Sequence, residues 1–324
     1  MAIADQVVSV PSIDDLVNSY ISKSTDGLAG VAIMAIGKSN KIIYSGAFGK
    51  RTLDPAIDEA MTLDTVQWIA SSTKLMTAVA VMQCVERGQI GLDDPVGNIC
   101  PELAALEIIE GFSDDGTPKM GKAKKVITLR NLLSHTSGFS YHDVHPRLIQ
   151  WIKSTGFAGQ VVTGNIDAYK VPLVFEPGSD WSYGVGADWA GHIVERLNNC
   201  TLGEYMERNI WKPLGMNDTT FHPETRPDFG QRRAGLCIRT PNGALVPGPP
   251  RVYPTAGSPA SDLGGIGLDS TCLDHRKFIS AVLCDGCGIL KKESIDEIFR
   301  PQFTGKTSPH PLYSSLQHHF GRHV

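Results

Sequence analysis

A serine and a lysine stand three residues apart at the start of a strongly apolar stretch, and this arrangement constrains the fold more than any other feature. Ser71 and Lys74 lead into residues 75–85, of which nine of eleven are apolar. A helix that is apolar on nearly all sides must be buried in a large core. Gly88, after two polar residues, supplies the C-cap. The chain is therefore predicted to pack a sizeable core around one central helix that begins near Ser71.

The same spacing places the side chains of Ser71 and Lys74 on one face of the helix. A serine hydroxyl is a poor nucleophile at neutral pH, but a neighbouring lysine amine can take its proton if burial lowers the amine's pKa. The helix N-terminus also favours an oxyanion at this place. The pair predicts acyl-transfer chemistry. The alternative is that Ser71 or Ser72 only caps the helix.

Length and charge restrict the class of protein. The chain has 324 residues, 41% of them hydrophobic and 20% charged, which is typical of a soluble globular enzyme. A net charge of −4 without a long basic run argues against nucleic acid as a partner. No stretch approaches the ~18 apolar residues that a membrane span needs, and the N-terminus has no secretory pattern. We expect a cytoplasmic protein without a membrane partner.

The cysteine pattern and the polar residues give no sign of a metal or a cofactor. Seven cysteines, an odd number, are scattered along the chain, and reduced thiols are the simplest explanation. Cys284 and Cys287 have metal-site spacing, but no second such pair exists, so a turn is expected there. We predict neither a cofactor nor a metal.

The order of the elements predicts an α/β (α+β) protein that forms a single domain over residues 1–324. Residues 1–92 and 260–324 are expected to form an α/β part, and residues 93–259 a helical lobe with a loop-rich end. The expected elements are a helix over 13–22, strands over 30–37 and 41–46, and helices over 129–135, 192–197, 203–211, 271–284 and 292–299.

A second catalytic group is predicted in the loop of residues 176–184. Its Tyr183 carries a phenol that could relay protons to a nearby nucleophile. The alternative is a buried tyrosine that only packs and makes one hydrogen bond.

The order of these features resembles the serine β-lactamase and penicillin-binding-protein superfamily, in particular its class C β-lactamase-like branch of esterases and acyltransferases. The segments that carry the resemblance are Ser71 with Lys74, residues 132–138, residues 176–178 with Tyr183, residues 213–216 and residues 264–268. The chain is most similar to fungal acyltransferases of polyketide pathways, of the statin side-chain transesterase type. This resemblance implies a β-lactamase/transpeptidase-like fold, in which helices flank an antiparallel sheet beside a helical lobe.

The resemblance also implies the roles of individual residues. Ser71 would be the acylated nucleophile, Lys74 its base, and Tyr183 the group that deprotonates the attacking alcohol. Tyr253 and Gly265 would bind substrate. The implied function is the transfer of an acyl group from a thioester, free or bound to a carrier protein, to an alcohol acceptor in secondary-metabolite biosynthesis.

Two alternatives remain open, namely an esterase with the same residues and a catalytically impaired homologue that acts as a binding protein. Antibiotic hydrolysis is disfavoured, because Val185 stands where lactamases carry an asparagine in their YxN motif.

The C-terminal end departs from the family pattern. The family continues after about residue 299 into several strands, one with a KTG-like motif and an N–H of the oxyanion hole. This chain ends at Val324, and Lys306 begins a KTG-like string only by its letters. The sequence therefore predicts an apparently truncated sheet. Either another segment or subunit completes it, or the chain is a fragment or a degenerate copy.

Overall fold

A computed structural model describes residues 12–157, 164–249 and 261–302. Three predictions concern residues outside these ranges: the place of Tyr253, the string at Lys306, and the apparent lack of the family's C-terminal strands.

The described residues form eleven α-helices and eight short strands. The helices are α1 (Ile13–Ile21), α2 (Thr73–Glu86), α3 (Pro101–Ala104), α4 (Leu129–Leu133), α5 (Pro146–Thr155), α6 (Gly186–Asn198), α7 (Leu202–Met206), α8 (Lys212–Leu214), α9 (Pro227–Gly230), α10 (Cys272–Leu283) and α11 (Lys292–Phe299). The strands are β1 (Gly30–Ile36), β2 (Ile42–Gly49), β3 (Gln67–Trp68), β4 (Glu107–Phe112), β5 (Pro118–Lys122), β6 (Cys237–Arg239), β7 (Leu245–Pro247) and β8 (Asp269–Ser270). None of these helices is long and apolar enough to cross a bilayer.

Helix α2 lies in the core, as its apolar sequence predicts. Met76, Val79 and Ala80 have no exposed surface and belong to one large cluster of buried side chains. The helix ends at Glu86, and Gly88 follows with φ +68°, which confirms the predicted glycine cap. Helix α6 packs against α2 and buries Trp189 completely. The core therefore fixes the start of α2, where the candidate nucleophile lies.

The strands pair as four separate antiparallel ladders within the described residues. The hairpin of β1 and β2 pairs Gly30 with Gly49 at its open end, and it packs between α1 and α10. The short ladder of β3 and β8 pairs Trp68 with Asp269. This ladder brings the segment before α2 beside the glycine-rich segment 264–268, although almost two hundred residues separate them along the chain.

The predicted elements of the α/β part are confirmed. The helices over 13–22, 271–284 and 292–299 and the first hairpin all form within one to three residues of the expected bounds. All seven cysteines lie in the described region without a disulfide, and Cys284 ends α10 in a turn.

The predicted helical lobe differs from the structure, because residues 93–259 also contain two hairpins that the sequence analysis does not predict. The β4–β5 ladder has an irregular register after Ile109, so its apolar residues do not alternate. Strand β5 contains one proline and one glycine, and β6 and β7 have three residues each. Such short or irregular strands give no period-two pattern.

Helices α4 and α6 approach so closely that Gly186 cannot be replaced without movement. A Cβ atom at Gly186 would lie 2.2 Å from the backbone oxygen of Leu132. We expect Gly186→Ala to lower the free energy of unfolding by about 1–3 kcal/mol, although alanine favours helices. Urea denaturation followed by tryptophan fluorescence measures this. Gly230→Ala is the matched control, since no atom lies within 4 Å of its Cβ position; equal stability of the two variants would contradict the prediction.

Candidate active site

Ser71 lies in a single 3₁₀ turn, Ala70–Ser72, that joins β3 to α2. The backbone N–H of Ile69 donates to Leu268 O at 2.9 Å, which ties this turn to the glycine-rich segment. Ala70 has φ +43°, a value that residues other than glycine rarely adopt. Such strained conformations persist only where the surrounding structure holds them, and they cluster at functional sites. The turn presents Ser71 at the surface, ahead of the positive end of the α2 dipole.

The hydroxyl of Ser71 lies between the two predicted partners. Lys74 Nζ is 3.1 Å from Ser71 Oγ, and the Tyr183 hydroxyl donates to Ser71 Oγ at 2.7 Å. Ser72 occupies the N-cap position of α2, but its side chain makes no capping hydrogen bond. The alternative that these serines only cap the helix is therefore wrong. The structure brings Ser71, Lys74 and Tyr183 together, as a covalent mechanism requires.

Tyr183 is held in place by the turn that follows α4. The backbone N–H of Ser182 donates to His135 O at 3.0 Å, and the His135 ring lies 4.8 Å from the Tyr183 ring. His135 has φ +59° and accepts a hydrogen bond at Nδ1 from the Gly184 N–H at 3.4 Å. Burial and the nearby charge of Lys74 lower the pKa of His135 to about 3. The imidazole is therefore neutral at neutral pH and can accept this bond.

Tyr141 is a second phenol at the site, and sequence analysis missed it. Its hydroxyl accepts a hydrogen bond from Lys74 Nζ at 3.2 Å, and its ring lies 5.3 Å from that of Tyr183. Burial raises the pKa of Tyr141 well above its ordinary value, so it remains a neutral phenol. Tyr141 follows the recognised segment 132–138 by three residues, and no local pattern marks it as a partner of Lys74.

Gly265 contacts Lys74 directly. Its carbonyl oxygen accepts from Lys74 Nζ at 2.8 Å, and its N–H donates to Asp188 Oδ1 at 2.8 Å. Both polar backbone groups of Gly265 therefore bond to protein side chains, and the residue is buried. The predicted contact of Gly265 with substrate stays a prediction, as does that of Tyr253, which is outside the described residues.

A cavity of about 300 Å³ adjoins Lys74 within the described part of the chain. The α2 side chains Leu75, Ala78 and Met82 contribute much of its apolar wall. Arg130 and Glu297, which form an ion pair at 2.6 Å, add a polar part. Lys74 thus hydrogen-bonds to Ser71, Tyr141 and Gly265, and its side chain lines a mainly apolar cavity.

Comparisons with known proteins agree with this geometry. A family model described as Beta-lactamase matches residues 17–323. The chain belongs to the β-lactamase family. Its relatives include a lovastatin esterase from Penicillium rubens, with 36% identity over 85% of this chain and 69% of the relative. They also include a monacolin J acid methylbutanoyltransferase from Aspergillus terreus, with 34% identity over 85% of this chain and 67% of the relative.

The same family relation is found among solved structures. The LovD6 mutant of simvastatin synthase from Aspergillus terreus superposes with a TM-score of 0.81 at 34% identity, covering 94% of this chain and 72% of that chain. These findings confirm the predicted β-lactamase/transpeptidase-like fold and the similarity to fungal statin acyltransferases. The protein is an enzyme of this family.

The neutral state of His135 predicts how stability depends on pH. The pKa of His135 is about 3 in the folded protein and ~6.5 in the unfolded chain. Below about pH 6.5 the unfolded state therefore binds the extra proton, and this residue removes up to about 1.4 kcal/mol of stability per pH unit as the pH falls towards 3. We expect the stability of His135→Asn to fall less steeply in this window, because asparagine tolerates the left-handed backbone and does not titrate.

Denaturant unfolding of the wild type and His135→Asn at a series of pH values measures this difference. His142→Asn, at an exposed histidine, is the matched control. Parallel acid-side profiles for His135→Asn and the wild type would contradict the prediction.

Proposed function

We propose that this protein is a serine acyltransferase that moves an acyl group from a thioester to an alcohol through an acyl-Ser71 intermediate. The observation that carries this proposal is the position of Ser71 Oγ, 3.1 Å from Lys74 Nζ and 2.7 Å from the Tyr183 hydroxyl. One group beside the nucleophile can remove its proton, and the other can return a proton to it.

In the first step, neutral Lys74 accepts the Ser71 proton while Ser71 Oγ attacks the thioester carbonyl carbon. The tetrahedral adduct then collapses, the C–S bond breaks, and the thiol leaves with the proton that Lys74 had taken. The amine is neutral again at the end of this step. The dipole of α2 favours the transient oxyanion at its N-terminus.

In the second step, an alcohol attacks the acyl-Ser71 carbonyl carbon. Tyr183 takes the alcohol proton as it passes its own proton to the departing Ser71 Oγ, and the new ester is released. The hydrogen bond from Tyr183 to Ser71 lies along the path of this transfer. Tyr183 needs no net change of charge in this relay.

Hydrolysis is the second candidate, because water can replace the alcohol in the same step. One relative is named a lovastatin esterase, at 36% identity, and the other a monacolin J acid methylbutanoyltransferase, at 34% identity. Similarity alone does not separate the two reactions. We also propose that the acyl donor is a thioester, either free or bound to a carrier protein. We propose a cytoplasmic location for the enzyme.

A covalent-labelling experiment tests the mechanism. We expect an alkyl fluorophosphonate to label the wild type at Ser71, and Lys74→Ala to lower the labelling rate at least ~100-fold because general-base catalysis is lost. Ser71→Ala should not react, whereas Ser72→Ala is the matched control and should label normally. Intact-mass spectrometry measures the adduct. Labelling of Ser71→Ala at the wild-type rate would refute the role of Ser71.

Product analysis separates transfer from hydrolysis. With butanoyl-S-N-acetylcysteamine as donor, we expect Tyr183→Phe to accumulate a butanoyl adduct that the wild type releases, because the relay to the acceptor is lost. Adding monacolin J acid should divert the wild-type product from butanoate to an ester, as measured by liquid chromatography with mass spectrometry. If only butanoate forms at every acceptor concentration and with simple alcohols, the enzyme is an esterase.

A further inference from the structure

We propose that Asp188 is a positioning residue for Lys74, whose buried carboxylate stabilises the ammonium that forms when Lys74 takes the Ser71 proton. This inference rests on the proposed acyl-Ser71 mechanism, and it assigns a role to a residue that does not touch the reacting atoms. The argument starts from the contacts of Asp188 itself.

Asp188 is a buried carboxylate with an incomplete set of partners. It lies in the first turn of α6 and is 1% exposed. Its Oδ1 accepts the Gly265 N–H at 2.8 Å, whereas Oδ2 has no hydrogen-bond partner among the described residues. A buried carboxylate oxygen without a partner is costly unless a nearby positive charge offsets the loss of solvation.

Lys74 supplies that positive charge whenever its amine is protonated, through a single intervening residue. Gly265 donates its N–H to Asp188 Oδ1 and accepts a hydrogen bond from Lys74 Nζ at its carbonyl oxygen, each at 2.8 Å. The two bonds involve the peptide groups on either side of the Gly265 Cα, so the backbone of one residue holds both the carboxylate and the amine. A Cβ atom at Gly265 would lie 2.3 Å from Asp188 Oδ2, so the absence of a side chain permits this approach.

The rings of Tyr141, Tyr183 and His135 lie beside this pair. Arg130 and Glu297 line the same cavity as Lys74 and form an ion pair with each other. The pKa of His135 is lowered and that of Tyr141 is raised, so both are neutral near pH 7. Burial raises the pKa of Asp188 to about 6, while the charge of Lys74 acts in the opposite direction. Asp188 is therefore largely ionised above pH 6 and faces the amine as a negative charge.

This arrangement matters most at the moment of proton transfer. The proton from Ser71 turns the Lys74 amine into an ammonium, on a side chain that lines a mainly apolar cavity. The hydrogen bonds to Gly265 and Tyr141 hold its position, and the carboxylate of Asp188 balances its charge. An amide in place of this carboxylate could keep the bond to Gly265 but would remove the charge.

The rate of Ser71 labelling by an alkyl fluorophosphonate, measured over about pH 5–9, tests the proposal. We expect Asp188→Asn to lower the plateau rate about tenfold and to move the acid-side midpoint about one pH unit towards lower pH, because the ammonium form of Lys74 loses its counter-charge. Asp262→Asn is the matched control. Asp262 is also a buried aspartate that accepts a glycine N–H, that of Gly203 at 2.8 Å. Its other oxygen lies 2.8 Å from His222 Nε2, so this control also reports what the loss of a different charged partner does to the profile.

The outcomes separate this inference from the proposed function. If the wild type is not labelled at Ser71, the acyl-serine mechanism itself fails. If the wild type is labelled and Asp188→Asn keeps the wild-type midpoint, the role of Asp188 is overturned, even if the rate falls through a general loss of structure. A shift of the midpoint in Asp188→Asn but not in Asp262→Asn supports it.

A stability cycle tests the same pair without any activity. We expect Lys74→Met to lower the melting temperature at pH 8, because the Asp188 carboxylate then lacks its counter-charge. Adding Asp188→Asn to Lys74→Met should raise the melting temperature again, even if Asp188→Asn alone is poorly stable. Strictly additive losses in the double variant would refute the charge pairing.

Discussion

The hydrogen bonds between the start of helix α2 and the glycine-rich segment 264–268 are the contacts on which the site depends. Ile69 donates to Leu268 O at 2.9 Å, and the Thr77 hydroxyl donates to Gly264 O at 2.7 Å. Lys74 lies between these two contacts along the chain and bonds to the same segment. The β3–β8 ladder has only two residue pairs. The side-chain hydrogen bonds of Lys74 and Thr77 therefore add the contacts that hold segment 264–268 beside α2.

The packing of the large core holds the start of α2 and the residues around it in place. Helix α2 is buried along most of its length and packs against α6. The first turn of α6 contains Asp188, which bonds to the same residue, Gly265, as Lys74 does. Helix α4, which precedes the turn that holds Tyr183, packs against α6 through the close approach at Gly186. The three functional side chains thus come from elements that contact one another in the interior, and their relative positions are as rigid as the packing of the core.

Sequence reasoning was most successful where the signal is local. The spacing of Ser71 and Lys74, the apolar run of α2 and the glycine cap at Gly88 are each encoded within a few residues. Tyr183 was found because its loop resembles a known motif. Asp188 and Tyr141 were not assigned roles, since the bond from Gly265 to Asp188 spans 77 residues and that from Lys74 to Tyr141 spans 67. No periodic pattern in the sequence encodes contacts over such separations. The β4–β5 hairpin was missed because its register shifts after Ile109, which breaks the alternation of apolar and polar residues.

The positive φ of Ala70 links the reactivity of this protein to its tolerance of heat. A left-handed conformation costs an L-residue with a side chain roughly 1–2 kcal/mol, and here that cost falls on the residue next to Ser71. Selection for thermal resistance alone would favour glycine at position 70, which removes the penalty. The same change would give the backbone beside Ser71 more conformational freedom, so the strain at Ala70 accompanies a fixed position of the nucleophile.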